Sequence, residues 1–407
     1  MSEPAPLANS TSRLGAGQRV PVELERRLVA LRRDLHQHPE LSFKEERTAS
    51  VLAQTLGALG VANVTRVAGT GLVARVAGRD SGAPLVAVRG DIDALPIQEA
   101  TGLSFASATA GVMHACGHDV HATWTVGAAA LLRAEPPAGD VLVVLQPAEE
   151  TGKGARAMLE TGALDNVQAI FGAHVDRRFV VGQVVAQAGP LAASADTFEI
   201  ELVGRGAHAA RPHEAADPIV GAAALIGALQ TIVARRVNPA SPAVVTIGVL
   251  SAGTAPNIIP DRALLRGTLR AADAGTRAVL HAELRSISTH IAAAHGLEAR
   301  VAIDEGVPPV INSADAAAWA ADAVTALFGP EAVVPLGATN MAGEDFACYL
   351  EHTRGCFLRV GALGDGEPMI AAHSPAFDVA EEAISVGAAV LAECARRASA
   401  ALAGSVR

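Results

Sequence analysis

The chain has 407 residues, with 32 Lys and Arg against 42 Asp and Glu for a formal net charge of −10. That length suits two or three domains around a large core and excludes a peptide-sized or disulfide-built scaffold. An acidic balance repels phosphate backbones, so no nucleic acid is expected as a partner. Half of the residues are hydrophobic, but much of that is alanine. No stretch approaches the ~20 uninterrupted apolar residues of a bilayer-spanning helix, so no membrane partner is expected. Cys116, Cys348, Cys356 and Cys394 are too few for a disulfide framework and fit a reducing compartment. The polar start, rich in Pro, Ser and Gly, lacks the basic and apolar regions of a secretory signal. Residues 1–20 therefore read as a disordered tail and the protein as cytoplasmic.

In chain order, Leu24, Leu28, Leu31 and Leu35 recur at helical spacing until Pro39 closes the segment. Ala49, Leu52, Leu56 and Leu59 repeat that period, with Gly60 as a natural stop. Short β-type runs then alternate with helices: strands at 71–77, 85–88, 141–145 and 169–173, helices near 121–133 and 154–161. This alternation predicts an α/β fold, a mostly parallel sheet with helices on both faces. Near Pro190 the pattern changes, and Phe198, Ile200 and Leu202 alternate with polar residues as in a sheet with one wet face. A helix at 218–236, strands at 244–250 and 263–269, a helix at 278–294 and a strand at 298–303 complete a β-α-β-β-α-β order, the ferredoxin-like split motif. After Gly306 the first pattern resumes, with a helix at 314–328, a strand at 356–360 and a closing helix at 379–398. The expected organisation is a discontinuous larger domain, 21–190 and 305–407, with a smaller domain, 191–304, inserted into it.

In open α/β sheets ligands sit beyond the carboxyl ends of the strands. Three apolar runs end in conspicuous polar groups: Arg89-Gly90-Asp91-Ile92-Asp93, Gln146-Pro147-Ala148-Glu149-Glu150, and His174. Between the first two lies His114-Ala115-Cys116-Gly117-His118-Asp119-Val120-His121, three imidazoles, a thiol and a carboxylate in eight residues. Thiolate, imidazole and carboxylate are the ligands of zinc, manganese, cobalt and nickel. Cys116-x-His118 with the Glu149-Glu150 pair and His174 predicts a metal centre. Two adjacent glutamates at a buried strand end repel one another unless a cation is near. Since neighbours in extended chain point to opposite sides, one is expected to ligate and the other to act as base on a metal-activated water. Spacing alone does not assign the two roles.

The motifs RRDLHQHPELSFKE, RGDIDALP, HACGHDVHAT, QPAEE, GAHV, GRGAHAARPHE, GTAPNIIPD, GEDFA and HSPAF stand in this order along the chain. From about Leu28 to Ala395 the sequence resembles the metal-dependent aminoacylase and carboxypeptidase superfamily, in its branch of hippurate hydrolases, N-acyl-amino-acid amidohydrolases and auxin-conjugate hydrolases. The resemblance implies two divalent ions per subunit (Mn²⁺, Zn²⁺, Co²⁺ or Ni²⁺) held by Cys116, His118, Glu150, His174 and His373, with Cys116 as bridge and Glu149 as general base. His373 enters only through the resemblance, because HSPAF alone reads as a loop. It further implies that the inserted domain is a dimerisation or lid domain. There His208 and Asn257 face the active site of a partner subunit in a homodimer, and His208 stabilises the developing oxyanion. In distant relatives the position of Asp91 is a metal ligand and that of Asp93 orients it; here both are taken as supporting residues. His121 fits either a supporting role or a helix face, and Arg89 either a structural ion partner or a site wall.

Two departures bear on detail. Ala207 stands where relatives often carry glycine, which narrows the backbone freedom of that loop. Aromatic residues are only 3%, so a pocket for a bulky indole is not expected and a smaller or aliphatic acyl group is favoured. The implied activity is hydrolysis of the amide bond of N-acyl amino acids. The rivals are a dipeptidase or carboxypeptidase with the same two-metal apparatus, and a non-catalytic binding protein on the same fold.

Overall fold

The computed structural model describes residues 20–405; the segment 1–19, most of the expected tail, lies outside the described residues. Two helices open the chain, α1 (Val22–Gln37) and α2 (Glu46–Ala58), followed by strands β1 (Thr65–Val67), β2 (Gly71–Val76) and β3 (Leu85–Asp91). Then come α3 (His118–Ala134), β4 (Val141–Gln146), α4 (Gly154–Glu160), β5 (Val167–Val180) and β6 (Val184–Val185). The inserted block holds β7 (Ala195–Val203), α5 (Pro218–Leu229), β8 (Ala243–Ala252), β9 (Arg262–Ala271), α6 (Ala274–Ala294) and β10 (Glu298–Val307). The chain returns through α7 (Ala314–Phe328), β11 (Arg354–Leu363) and α8 (Glu382–Ser405).

Two compact units result: residues 20–188, 312–336 and 349–405, and residues 189–311 and 337–348. The segment 337–348 therefore groups with the smaller unit, although sequence order alone had left it with the larger. In the larger unit a seven-stranded sheet runs β1-β2-β4-β3-β5-β11-β6. Its central strands β4, β3, β5 and β11 are parallel, and antiparallel pairs close both margins. The unbroken apolar runs of β3 and β4 are buried on both faces, as a parallel sheet covered by helices requires. Val86, Val88, Val143, Phe171 and Leu358 join Leu28 and Leu35 of α1, Trp124 of α3 and Ile384 and Leu391 of α8 in one core.

Close helix contact there depends on two glycines. A Cβ on Gly387 would lie 2.1 Å from the Trp124 ring, and one on Gly127 2.8 Å from both Ala388 and Leu28. Helices α1, α3 and α8 thus pack with little between them, and α3 is held rigidly over the sheet.

In the smaller unit the four strands run β8-β9-β7-β10, all antiparallel. This is the order second, third, first, fourth of a β-α-β-β-α-β unit, the ferredoxin-like arrangement. Phe198, Ile200, Leu202, Leu265 and Leu269 bury one face against Leu225 and Leu229 of α5 and Leu280 and Leu284 of α6. Glu199 and Glu201 carry the wet face, where Glu199 meets Arg266 at 2.7 Å. Asp273 caps α6, its side chain accepting the Thr276 amide at 2.8 Å. The helix expected at 218–236 is α5 followed by a π-helical turn at Ile232–Arg236. By length and composition alone this stretch is long and apolar enough to cross a membrane, although Gln230 and Thr231 interrupt its apolar run. One side packs on its own sheet, while Ile219, Val220 and Val233 are exposed.

Candidate metal centre

The polar residues singled out by sequence converge at the carboxyl ends of the parallel strands of the larger unit, through local geometry that extended-chain reasoning does not capture. Helix α3 begins at His118, three residues earlier than its apolar period indicates, so His118 sits in its first turn. Gly117 enters the helix at φ 86°, and a Cβ there would lie 2.5 Å from Val175; only glycine serves at this position. His174 lies within β5 rather than beyond it, since that strand continues to Val180. The Glu149-Glu150 pair is not extended either. Ala148 has a positive φ of 54°, and a short 3-10 turn at Glu149–Thr151 follows. Both carboxylates consequently approach the same imidazole: His118 Nε2 is 3.7 Å from Glu150 Oε1 and 3.9 Å from Glu149 Oε2.

Cys116 Sγ lies 3.3 Å from His174 Nε2. His174 Nδ1 donates to the Val175 carbonyl at 2.7 Å, which leaves Nε2 as the lone-pair nitrogen facing the thiol. His373, on a loop with φ 65° and its amide bonded to the Ala115 carbonyl at 2.7 Å, brings Nε2 to 3.6 Å from Glu150 Oε1. Two donor triads, Cys116-His118-His174 and Cys116-Glu150-His373, each gather one ligand atom per residue within 4.8 Å of one another. They share Cys116.

The carboxylates beneath this set are buried and engaged. Asp93 takes His118 Nδ1 at 3.1 Å on Oδ1, and also receives the backbone amides of Glu149 on Oδ1 and Glu150 on Oδ2, each at 3.1 Å. One side chain thereby fixes an imidazole and the acidic turn together. Asp91 accepts from His121 Nδ1 at 2.7 Å and from Arg89 at 2.6 Å. His121 Nε2 in turn accepts the Val175 amide at 3.0 Å. With both ring nitrogens occupied, His121 supports the fold of the site, stacked on Trp124 with ring centroids 4.8 Å apart. Arg89 is fully buried and also donates to Gln146 at 2.8 Å.

Electrostatics separates the imidazoles. Burial, reinforced by Arg359, holds His174 well below the ordinary histidine range, so it is a neutral donor. Burial also acts to lower His118, but Asp91 and Asp93 overcome it and hold the proton well above that range. Burial pushes the Cys116 thiol up to about 12 and raises Glu150 as well. A nearby cation would favour the anionic form of both groups. Two buried atoms, His118 Nε2 and Glu150 Oε1, have no hydrogen-bond partner. Orphaned polar atoms of this kind, beside a thiol and the neutral His174, fit a divalent metal.

His208 and Asn257 belong to the smaller unit. Residues 207–208 pair with 258–259 as a short antiparallel ladder, and the Asn257 carbonyl accepts the Ala209 amide at 3.0 Å. The two are brought together on an exposed edge, His208 Nδ1 accepting the Ala210 amide at 3.1 Å.

Comparison with known proteins agrees with the fold and with a dinuclear metal cofactor. The model of peptidase family M20/M25/M40 matches residues 87–397. An N-acetyl-L-cysteine deacetylase of Bacillus subtilis is 42% identical over 92% of this chain and 88% of its own length. The IAA-amino acid hydrolase ILR1-like 2 of Arabidopsis thaliana is 37% identical over 90% and 84%. Among solved structures, a dinuclear metal-binding peptidase of the M20 family from B. subtilis superposes with a TM-score of 0.84 and 37% identity, covering 93% of this chain and 99% of that one. The chain belongs to peptidase family M20/M25/M40. It is an amide hydrolase of that family, and its clustered side chains are able to hold metal ions.

Proposed function

We propose that the protein hydrolyses the amide bond of N-acyl amino acids with two divalent ions, Glu149 acting as general base. The reading is carried by the two overlapping triads that share Cys116, with His118 Nε2 and Glu150 Oε1 buried and unpartnered. In it Cys116, His118, Glu150, His174 and His373 hold Mn²⁺, Zn²⁺, Co²⁺ or Ni²⁺. The ions would supply Lewis acidity to the scissile carbonyl and lower the pKa of water. Glu149 takes the proton of the attacking water and delivers it to the departing amine. Asp93 keeps its backbone in place for both transfers through the amide bond at 3.1 Å. His121, Asp91 and Arg89 keep the floor of the site rigid.

The low aromatic content and the resemblance to a deacetylase of N-acetyl-L-cysteine favour a small acyl group such as acetyl. Dimerisation through the smaller unit would use the exposed edge strand β8, where Val249 and Leu250 are 47% and 51% accessible, and the outer side of α5, where Val220 is 53% accessible. His208 and Asn257 would then serve the partner's site as oxyanion donor and substrate contact. N-acetyl and N-benzoyl amino acids and dipeptides, assayed in parallel with Mn²⁺, Co²⁺ and Zn²⁺, test the substrate class. Turnover of the N-acyl compounds is expected. Turnover of dipeptides alone replaces the substrate assignment, and no turnover by metal-replete protein favours a binding role.

A further inference from the structure

The motif RRDLHQHPELSFKE ends on Glu45, which the mechanism above leaves without a role. Glu45 is fully buried at the N-terminal end of α2. Its Oε2 accepts from the Thr70 hydroxyl at 2.5 Å, and its Oε1 accepts from the backbone amide of Ala148 at 3.0 Å. Ala148 is a non-glycine residue held at φ 54°, a left-handed conformation that a Cβ makes costly and that the surrounding structure must impose. It is also the hinge between β4 and the turn carrying Glu149 and Glu150. Three consecutive amides, those of Ala148, Glu149 and Glu150, are thus received by two buried carboxylates, Glu45 and Asp93.

Both sides of the turn are otherwise determined. Gly154, at its far end, donates to the Ala148 carbonyl at 3.1 Å, and a Cβ on Gly154 would fall 1.7 Å from the Pro147 carbonyl oxygen. Asp93 can orient Glu149 and Glu150 only after the chain has already turned left-handed at Ala148. In a right-handed or extended Ala148 the two following side chains would point elsewhere, as extended-chain alternation predicts. The anchor on the Ala148 amide is therefore a condition for both carboxylates to reach His118.

We propose that Glu45, supported by Thr70, is a positioning residue for the acidic turn. It holds Ala148 in the left-handed conformation that places Glu149 and Glu150 at the metal centre. This deepens the function proposed above and rests on it for the role of Glu149, but its effect on Glu150 is read independently through metal affinity.

The test compares wild type, Glu45→Leu, Glu45→Gln, Ala148→Gly and the double variant Glu45→Leu/Ala148→Gly. Mn²⁺ affinity is measured by competition with a chelator, and kcat and KM on an N-acetyl amino acid. Leucine fills the space but cannot accept the amide hydrogen bond, so Mn²⁺ affinity and kcat each fall about 10–100-fold, the range for losing a partner that orients a ligand, with KM changing less. Glutamine keeps an acceptor and stays near wild type. Glycine at 148 adopts the left-handed region without the Cβ penalty, so the double variant recovers most of the affinity and kcat relative to Ala148→Gly alone. Glu45→Leu with unchanged metal affinity overturns the proposal. So does a loss shared equally by Glu45→Leu, Glu45→Gln and the double variant, which would mark Glu45 as packing only. If no N-acyl substrate is turned over by wild type, the functional reading fails on that result, while the affinity series still decides the role of Glu45.

Discussion

The two triads that share Cys116 differ in how firmly the fold holds them. Cys116 and His118 are buried and His174 is half-buried, set by a helix start and a central strand, with His118 and His174 each fixed through the ring nitrogen that faces away. In the other triad Glu150 rides on a turn and His373 on a loop, its side chain 54% accessible. One side of the centre is built into the sheet; the other is completed by segments whose geometry is imposed from outside. Such asymmetry suits a hydrolase, which needs a firm metal platform and an accessible side for substrate.

The sharpest way to break this contrast is to remove donors singly. Cys116→Ser is expected to lose both ions and all measurable turnover, whereas His373→Ala loses the ion on the open side first; metal content by elemental spectroscopy, followed through a chelator titration, distinguishes them. Equal losses in the two variants would mean that Cys116 is not shared. Next in size, Glu149→Gln is expected to lower kcat by about 10²–10⁴-fold, the contribution of a positioned base, with the ions retained. Asp93→Asn touches both sides at once, through His118 and the acidic turn. A fall of about 10–100-fold in metal affinity is expected, measured by the same competition.

The smallest effect on turnover concerns the support beneath α3. Asp119, next to His118, receives Arg32 at 2.7 Å and His36 at 2.8 Å, both from α1. Burial acts to lower the pKa of His36, but Asp119 and Glu99 overcome it and raise it from 6.5 to about 9. Because the folded state holds this proton more tightly, the stabilisation is complete below about pH 6.5 and lost as pH rises through 9. Urea unfolding is expected to show a decline of up to about 3 kcal/mol across that window. The decline should be absent in His36→Gln; the same slope in that variant would place its origin elsewhere.

Much of the architecture was legible along the chain, because period and composition are local properties. Leu28, Leu31 and Leu35 mark α1 as buried on one side, the apolar runs of β3 and β4 mark central strands, and the alternation around Ile200 marks a sheet with one wet face. The margins were not: β1 and β6 are short, and β6 is only two residues, too little to carry a period. The helical period also missed the first turn of α3, because His118 and Asp119 are polar groups buried by partners rather than apolar ones buried by packing. His373 was placed by resemblance alone, since a loop residue has no period to betray it.

Residue types and their order along the chain thus determined the class of fold, the chemistry of a thiol, imidazoles and carboxylates, and the family to which the chain belongs. Only the tertiary structure decided which of these side chains are ligand-competent and which are spent on support. His121 has both nitrogens engaged while His118 keeps one buried and unpaired. It also decided that two adjacent glutamates approach one imidazole instead of diverging, because Ala148 turns left-handed where the buried carboxylate of Glu45, just before α2 and 103 residues away in sequence, receives its amide. Long-range hydrogen bonds to buried carboxylates leave no local signature, and here they set the direction of the chemistry.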